Sequence, residues 1–426
     1  MVLFIYVGVI IFAGLFSRLF KKGNSPQNSL TTSRPFFFGR ASSDVAVNER
    51  TALATAGVYA CVRIISEAVA QLPLHLYKYK GNGALVETGH PLYDILHTVP
   101  NPEMTSFIWR EVLMSHILLW GNGFCQLIRD GTGRIKHIYP LLPNKMDVWR
   151  DDDGEIYYTY YRDADETRPH EKKGGITLQR EDVLHIPGLS FDGLVGYSPV
   201  ALAKNAIGMA IAAEDYGANF FANGANPGGV LEHPSTLNDP TKIRTTWEAI
   251  YRGKGAHRIA VLEDGLTFKQ VGIPPDQAQF LETRRFQLNE IARIFRVPPH
   301  LIGDLEKATY NNIEHQGIEF VMHTVEPWVI RLEQAMDMAL LTPAERKQYM
   351  IKFNLDGLLR GDYKTRMEGY SIGRQGGWLS ANDIRALERM TPISAEEGGD
   401  RYMVNGNMVD LKHARHFARK DANVDE

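Results

Sequence analysis

The chain has 426 residues, 44% of them hydrophobic and 23% charged, the make-up of an ordinary globular protein long enough for two or more packed units. A formal charge of −3 excludes a protein whose whole surface grips phosphate, because tight nucleic-acid binders concentrate Lys and Arg. The two cysteines, Cys61 and Cys125, lie far apart without a CxxC or Cys-His pattern, so buried free thiols are expected rather than a disulfide or a zinc site.

Val2 to Phe16 is almost wholly apolar and is followed by Ser17, Arg18, Lys21 and Lys22, with no basic residue before it and no small-residue cleavage site. At about fifteen residues it is shorter than the roughly twenty a membrane span needs. Three readings stay open: a mobile arm or extended start, a peripheral membrane contact, or a cleaved export signal. Gly23 to Arg34 is polar and reads as a linker.

From Val45 to about Tyr197 helical and strand patterns alternate. Val58, Cys61, Val62, Ile65 and Val69 give a helical face that stops before Pro73, and Leu74 to Lys80 then alternates like a strand. Phe107 to Leu119 predicts a helix entered from Asn101-Pro102 and closed by Gly121-Asn122-Gly123. Phe124–Arg129, Ile135–Pro140, Met146–Arg150 and Ile156–Tyr161 predict short strands joined by turns such as Asp130-Gly131 and Asp153-Gly154. The fold class is α+β. Asp151-Asp152-Asp153-Gly154-Glu155 lacks the glycine offset and distant acid of a calcium loop and reads as a hairpin turn. Gly121-x-Gly123 lacks the third glycine of a dinucleotide fingerprint.

Ser198-Pro199 predicts a helix start, serine at the N-cap and proline in the first turn, and the helix through Phe221 is rich in Ala and Gly. Such a helix suits a buried core or a crowded ring stem. Asn223 to Gly229 breaks it. A compact unit follows: strand Val230-Leu231, helix Pro240 to Arg252, strand Ile259–Leu262, turn Glu263-Asp264-Gly265 and strand Thr267–Val271. Lys242, Arg244, Arg252, Lys254, His257 and Arg258 give it a basic bias, equally a solvated face or a docking or DNA surface. Asp276 and Gln279 then form a capping box, and Leu281, Leu288, Ile291, Ala292 and Phe295 recur at helical spacing up to Pro298-Pro299. A polar loop ending in Asn311-Asn312 leads into Ile318, Val321, Met322, Val325, Val329, Leu332, Met336 and Ala339, one long helix that Pro327 should kink. Met350 to Leu355 reads as a strand, and a helix capped by Ser380 or Asn382 follows.

Two helices flanking a small inserted unit, the loop after the second, Gly14 to Phe20, Gly121-Asn122, and the segments Leu358 to Gly373 and Gly377 to Arg385 together resemble the portal proteins of tailed bacteriophages. The resemblance runs from about Val45 to Arg389 and is most specific between Ser198 and Asn312. It implies a mobile arm at 1–35, a wing at 36–197, stem helices at 198–225 and 273–300 around a clip at 226–272, and a tunnel loop at 301–312. A kinked helix with the rest of the wing at 313–370, a crown at 371–400 and a mobile tail at 401–426 complete the expected plan. It further implies a ring of about twelve copies, each contacting the next through different faces. Double-stranded DNA would pass non-specifically, with Lys307, Tyr310, Asn311 and Asn312 at the constriction. Implied partners are the terminase large subunit at the clip, a head-tail adaptor, and the major capsid or scaffolding protein. A near-neutral conduit that lets DNA slide is physically reasonable, and the alternative for Lys307 is an incidental lysine on an exposed loop.

No Walker A, HExxH or Gly-x-Ser-x-Gly motif occurs, and His413 and His416 lie in a charged tail. No catalytic residue, metal or cofactor is expected, so the packaging ATPase must be a separate protein. The rival readings are a membrane-anchored α+β enzyme tethered by the N-terminal apolar run, and a different, shorter head-tail adaptor.

Overall fold

The computed structural model describes residues 45–403, except 82, 152, 163–173, 223–228, 235–238, 252–261, 263–264, 271–276, 305–315, 356–362 and 389. Two compact units divide at Asn354/Leu355.

The first unit is organised around two helices that pack on each other, α1 (Glu49–Ala54) leading into α2 (Ala56–Ala70), and, after α3 (Pro91–His97), α4 (Ser106–Trp120). Val58, Cys61, Ile65 and Val69 on α2, and Trp109, Leu113 and Ile117 on α4, are each 0% exposed, three or four residues apart as one buried helical face requires. Both cysteines are free, and burial pushes their thiols up to about 12. Cys125 accepts the Trp109 indole N–H at 3.4 Å.

The strands are β1 (Leu74–Lys80), β2 (Gly83–Val86), β3 (Asn122–Arg129), β4 (Ile135–Leu141), β5 (Met146–Arg150), β6 (Ile156–Tyr161), β7 (Gly175–Gln179) and β8 (Val183–Pro187), with β11 (Tyr349–Phe353) far along the chain. They form three antiparallel sheets in the orders β11-β1-β2, β4-β3-β8 and β5-β6-β7. The registers place Leu74 opposite Phe353, Leu127 opposite Ile138, and Cys125 opposite Leu184. Sequence patterning misses β2, β7 and β8. Val183–Pro187 is a five-residue run interrupted by His185 and ended by proline, and its identity as a strand comes from pairing with β3, about sixty residues earlier in the chain.

Buried polar groups tie these layers together. The Arg110 guanidinium, 7% exposed, donates to the Ala70 carbonyl at 2.8 and 3.2 Å and to Ser106 Oγ at 2.6 Å, while the Ser106 hydroxyl donates to the Leu96 carbonyl. One cation thereby closes the C-terminal carbonyls of α2, and of α3 both directly at 3.5 Å and through Ser106, where helix dipoles favour positive charge. Burial lowers its pKa to about 10. Edge strand β11 is covered by α9 (Glu326–Leu340), whose Glu333 and Asp337 accept the Phe353 and Ile351 N–H groups at 2.9 and 2.8 Å.

The helix expected to run unbroken from Ser198 is two pieces, α5 (Pro199–Leu202) and α6 (Lys204–Ala222), joined at Ala203 with ψ near 8°. Ser198 caps the first turn as expected, accepting the Ala201 N–H, while its own hydroxyl donates to Leu119 O at 2.6 Å. That first turn is anchored on α4, and α6 follows a different neighbour, α8 (Gln277–Phe295). Between them the ribbon β9 (Gly229–Glu232) and β10 (Thr267–Gln270) pairs antiparallel and carries α7 (Pro240–Tyr251), whose Trp247 stacks on Phe268 at 5.9 Å. The capping box at Asp276 and most of the strand expected at 259–262 lie outside the described residues.

The second unit holds α10 (Tyr363–Gln375) and α11 (Ala381–Leu387). Ser380, not Asn382, caps α11, in a reciprocal capping box with Asp383. Asn382 instead ties the next loop, donating to Ile393 O and Asp400.

Candidate functional site

α6 lies against α8 because small residues let the two backbones approach: Gly208, Ala210 and Gly217 are buried along it. The pair leaves large apolar side chains uncovered, Met209 and Tyr216 on α6 at 47% and 51%, Phe286 on α8 at 57%. An open cleft of about 340 Å³ lies between α6, α8 and the start of α2. Its lining includes Ala210, Leu288 and Ile291, with Arg284 and Arg285 among its polar members. Arg284 pairs with Glu214 at 3.9 Å and Arg285 with Asp304 at 3.9 Å.

α8 ends three residues before the expected Pro298-Pro299. Arg296 takes φ 57°, the non-glycine residue with positive φ among the described residues, and Val297 N and Arg296 N bond back to Ala292 O at 2.9 Å and Arg293 O at 3.2 Å. This is a Schellman closure with arginine where glycine is usual, its apolar contact made by buried Val297 and Ala292. A short turn at Pro299–Ile302 and Gly303, φ 91°, deliver Asp304, which accepts Asn289 Nδ2 at 3.2 Å. The chain re-enters description at residue 316.

Residues 316–320 are helical, Val321–Val325 form a π turn, and α9 follows. A widened turn lies just ahead of Pro327, the residue at which the kink is expected. Glu326 N bonds to Val321 O, five residues back, and this wider spacing places Pro327 in the first turn of α9, where its missing N–H costs no ladder bond. Thr324 Oγ1 donates to Arg296 O at 2.6 Å. The two ends of the loop are therefore fastened to one another and to α8.

Lys307, Tyr310, Asn311 and Asn312 lie outside the described residues, as do Arg252, Lys254, His257 and Arg258. Lys242 and Arg244 are exposed on α7. Across the ribbon, Lys269 pairs with Glu232 at 2.8 Å.

Sequence reading overlooked a second built feature. Asn122 Nδ2 donates to Gly196 O, and Asn122 Oδ1 accepts Gly196 N, both at 2.8 Å; His185 Nε2 meets the same oxygen at 3.1 Å. Gly121 has φ 79°, and a Cβ there would stand 2.1 Å from Tyr197 O, so only glycine permits this approach. Arg331, with Trp328 beneath it at 5.6 Å, donates to the Pro187 and Gly188 carbonyls at 2.8 Å. The Gly121-Asn122 dipeptide and Arg331 together hold both ends of the segment 188–198. The dipeptide was visible in the sequence; its partner, more than seventy residues away, was not.

Among the described residues no group of three or more His, Cys, Asp or Glu could hold a metal ion, and no helix is long and apolar enough to cross a membrane. A family model described as phage portal protein matches residues 56–388. The chain belongs to the phage portal protein family. It is 38% identical over 418 residues to the probable portal protein of Streptomyces phage phiC31, covering 93% of this chain and 90% of that one. It is 31% identical over 375 residues to the portal protein of Enterobacteria phage HK97, covering 86% and 85%. Among solved structures it is similar to a chain in the neck of a native gene transfer agent particle computed with C12 symmetry: 25% identity, TM-score 0.54, 85% of this chain and 96% of that one. An HK97-family portal protein from Corynebacterium diphtheriae shares the fold at 17% identity and TM-score 0.54, covering 75% and 98%. These portal relatives give the anchored-enzyme reading no support.

Proposed function

We propose that this portal protein assembles head to tail into a closed ring of about twelve subunits at one capsid vertex, the conduit for double-stranded DNA in packaging and ejection. The observation that carries the reading is the stem pair. Helices α6 and α8 pack closely on one side and leave Met209, Tyr216 and Phe286 uncovered on a single chain, which suits helices that neighbouring subunits cover. C12 symmetry in the neck of a similar particle supports the same stoichiometry.

In this reading the loop that begins after Asp304 faces the axis. Lys307, Tyr310, Asn311 and Asn312 then offer phosphate-level contacts without base information. The α7 unit, with Lys242 and Arg244, and with Arg252, Lys254 and Arg258 beyond, docks the terminase large subunit and later the head-tail adaptor; the wing meets the major capsid or scaffolding protein. The ring itself works without cofactor or catalysis, and nucleotide is consumed by the motor. Native mass spectrometry of the purified chain tests the assembly: closed rings near twelve subunits are expected, and monomers or twofold dimers at every concentration would refute it.

A further inference from the structure

The segment between β8 and α5 does something unusual for a soluble chain. Leu189 and Phe191 are 72% and 88% exposed, and the Phe191 ring meets the Tyr197 ring edge-on at 5.0 Å. The segment is also tightly constructed. Tyr197 N donates to Leu189 O at 2.8 Å and closes the base; Ser190 Oγ accepts Gly193 N at 2.8 Å, and Asp192 Oδ1 accepts the Leu194 and Val195 N–H groups at 2.9 and 3.1 Å. Below the base stand Asn122 and Arg331, as described. An aromatic ring held on a built support loses little conformational entropy when it is covered, and covering it removes a large apolar area from water.

A head-to-tail interface must join two different patches of the same chain. The cleft between α6 and α8 has the complementary character. Its lining is more apolar than polar, and it includes the Arg284 and Arg285 guanidiniums, both about half exposed and paired at 3.9 Å with Glu214 and Asp304. Guanidinium groups favour the face of an aromatic ring, and the carboxylate of Asp192, adjacent to Phe191, brings negative charge to the same rim. A second copy of this chain is the occupant that these two surfaces fit.

We propose that Phe191, with Leu189 beside it, is the knob by which each subunit seats in the α6/α8 cleft of its neighbour, Arg284 and Arg285 closing over the ring. The proposal rests on the ring reading. It adds the contact that would set the angle between adjacent subunits, through a loop held at its base by Asn122, Arg331 and the Gly188 N–H bond to Gly121 O.

The test uses the full-length chain with Phe191→p-benzoylphenylalanine, irradiated under assembly conditions and mapped by peptide mass spectrometry, beside Phe191→Ala. The expected result is inter-chain cross-links to segments 210–214 or 284–291. Phe191→Ala should raise the concentration needed for ring formation about tenfold or more, with an unchanged circular-dichroism melt because the side chain is exposed. Cross-links to any other segment, or none between chains, overturn the knob whatever Phe191→Ala does; rings persisting in that case leave the ring reading standing. A wild-type chain that never forms rings overturns both. Phe191→Trp, which keeps an aromatic face, should assemble near wild type, and failure to do so would count against ring stacking in the cleft.

Discussion

Thr324 Oγ1 donates to the carbonyl of Arg296 at 2.6 Å, joining the closing turn of α8 to the π turn that precedes α9. Eleven residues, 305–315, separate the described ends of the loop between them. The bond makes that loop's base one fastened unit, and it leads to the first expectation. Thr324→Val keeps the buried shape and deletes the donor, leaving a carbonyl without its partner. Unfolding free energy should fall by about 1–2 kcal/mol, read as a shifted urea midpoint, while proteolysis within 305–315 accelerates. An unchanged protease pattern would show that the bond does not govern the loop.

Arg296→Gly should move stability the other way. A side chain at φ 57° costs about 1–2 kcal/mol and glycine returns part of that as chain entropy, so a net gain of about 0.5–1 kcal/mol is expected. A rise in the urea midpoint at constant slope checks it; a fall would mean that the exposed arginine makes contacts worth more than the backbone strain.

Asn122→Ala removes both bonds to Gly196 and the contact to His185. The expected loss is about 2–3 kcal/mol, because buried backbone groups of Gly196 lose their partner. Differential scanning calorimetry measures it, and cleavage within 188–198 should appear first.

His116 is only 7% exposed, packs edge-on against Trp120 at 5.5 Å, and burial lowers its pKa to about 4. The unfolded chain therefore binds a proton near pH 6.5 that the folded chain refuses until about pH 4. Stability from this group is complete above about pH 6.5 and declines as pH falls toward 4, by at most about 1.4 kcal/mol per pH unit. His185, pushed by burial to about 3, acts in the same direction. His116→Gln should flatten the pH 5–6.5 portion of the stability profile, where carboxylates contribute little; an unchanged slope would contradict the buried-imidazole account.

Sequence patterning carried the elements whose partners are local or whose faces are unambiguous. Val58 to Val69 and Trp109 to Ile117 each place apolar groups at helical spacing, and Gly121 closes its helix with a conformation that glycine alone adopts cheaply. What sequence hid has three physical causes. Ala203 is an excellent helix former and still interrupts the helix expected from Ser198, because tertiary anchoring through Ser198 outweighs propensity. The π turn at Val321–Val325 keeps its apolar residues buried, so the helical period reads straight through it. The exposure of Phe191 depends on how distant segments pack, which no local pattern in the sequence encodes. Of the expected site, Lys242 and Arg244 are described and exposed, and the loop residues are approached from both ends without being reached.

In the proposed ring Lys307 faces the channel, so Lys307→Ala should leave assembly intact, a solvent-facing side chain contributing within about 0.5 kcal/mol of folding. Packaged DNA length and retention should change in particles built with the mutant ring. Unchanged values for both, with intact rings, would remove Lys307 from the mechanism.

The central claim is tested most directly by cryo-electron microscopy of DNA-filled particles assembled with this chain, reconstructed without imposed symmetry. The account predicts a single ring of this chain at one vertex, DNA on its axis, and residues 305–315 as the protein nearest that DNA. The chain at several vertices, off the DNA axis, or missing from filled particles would contradict it.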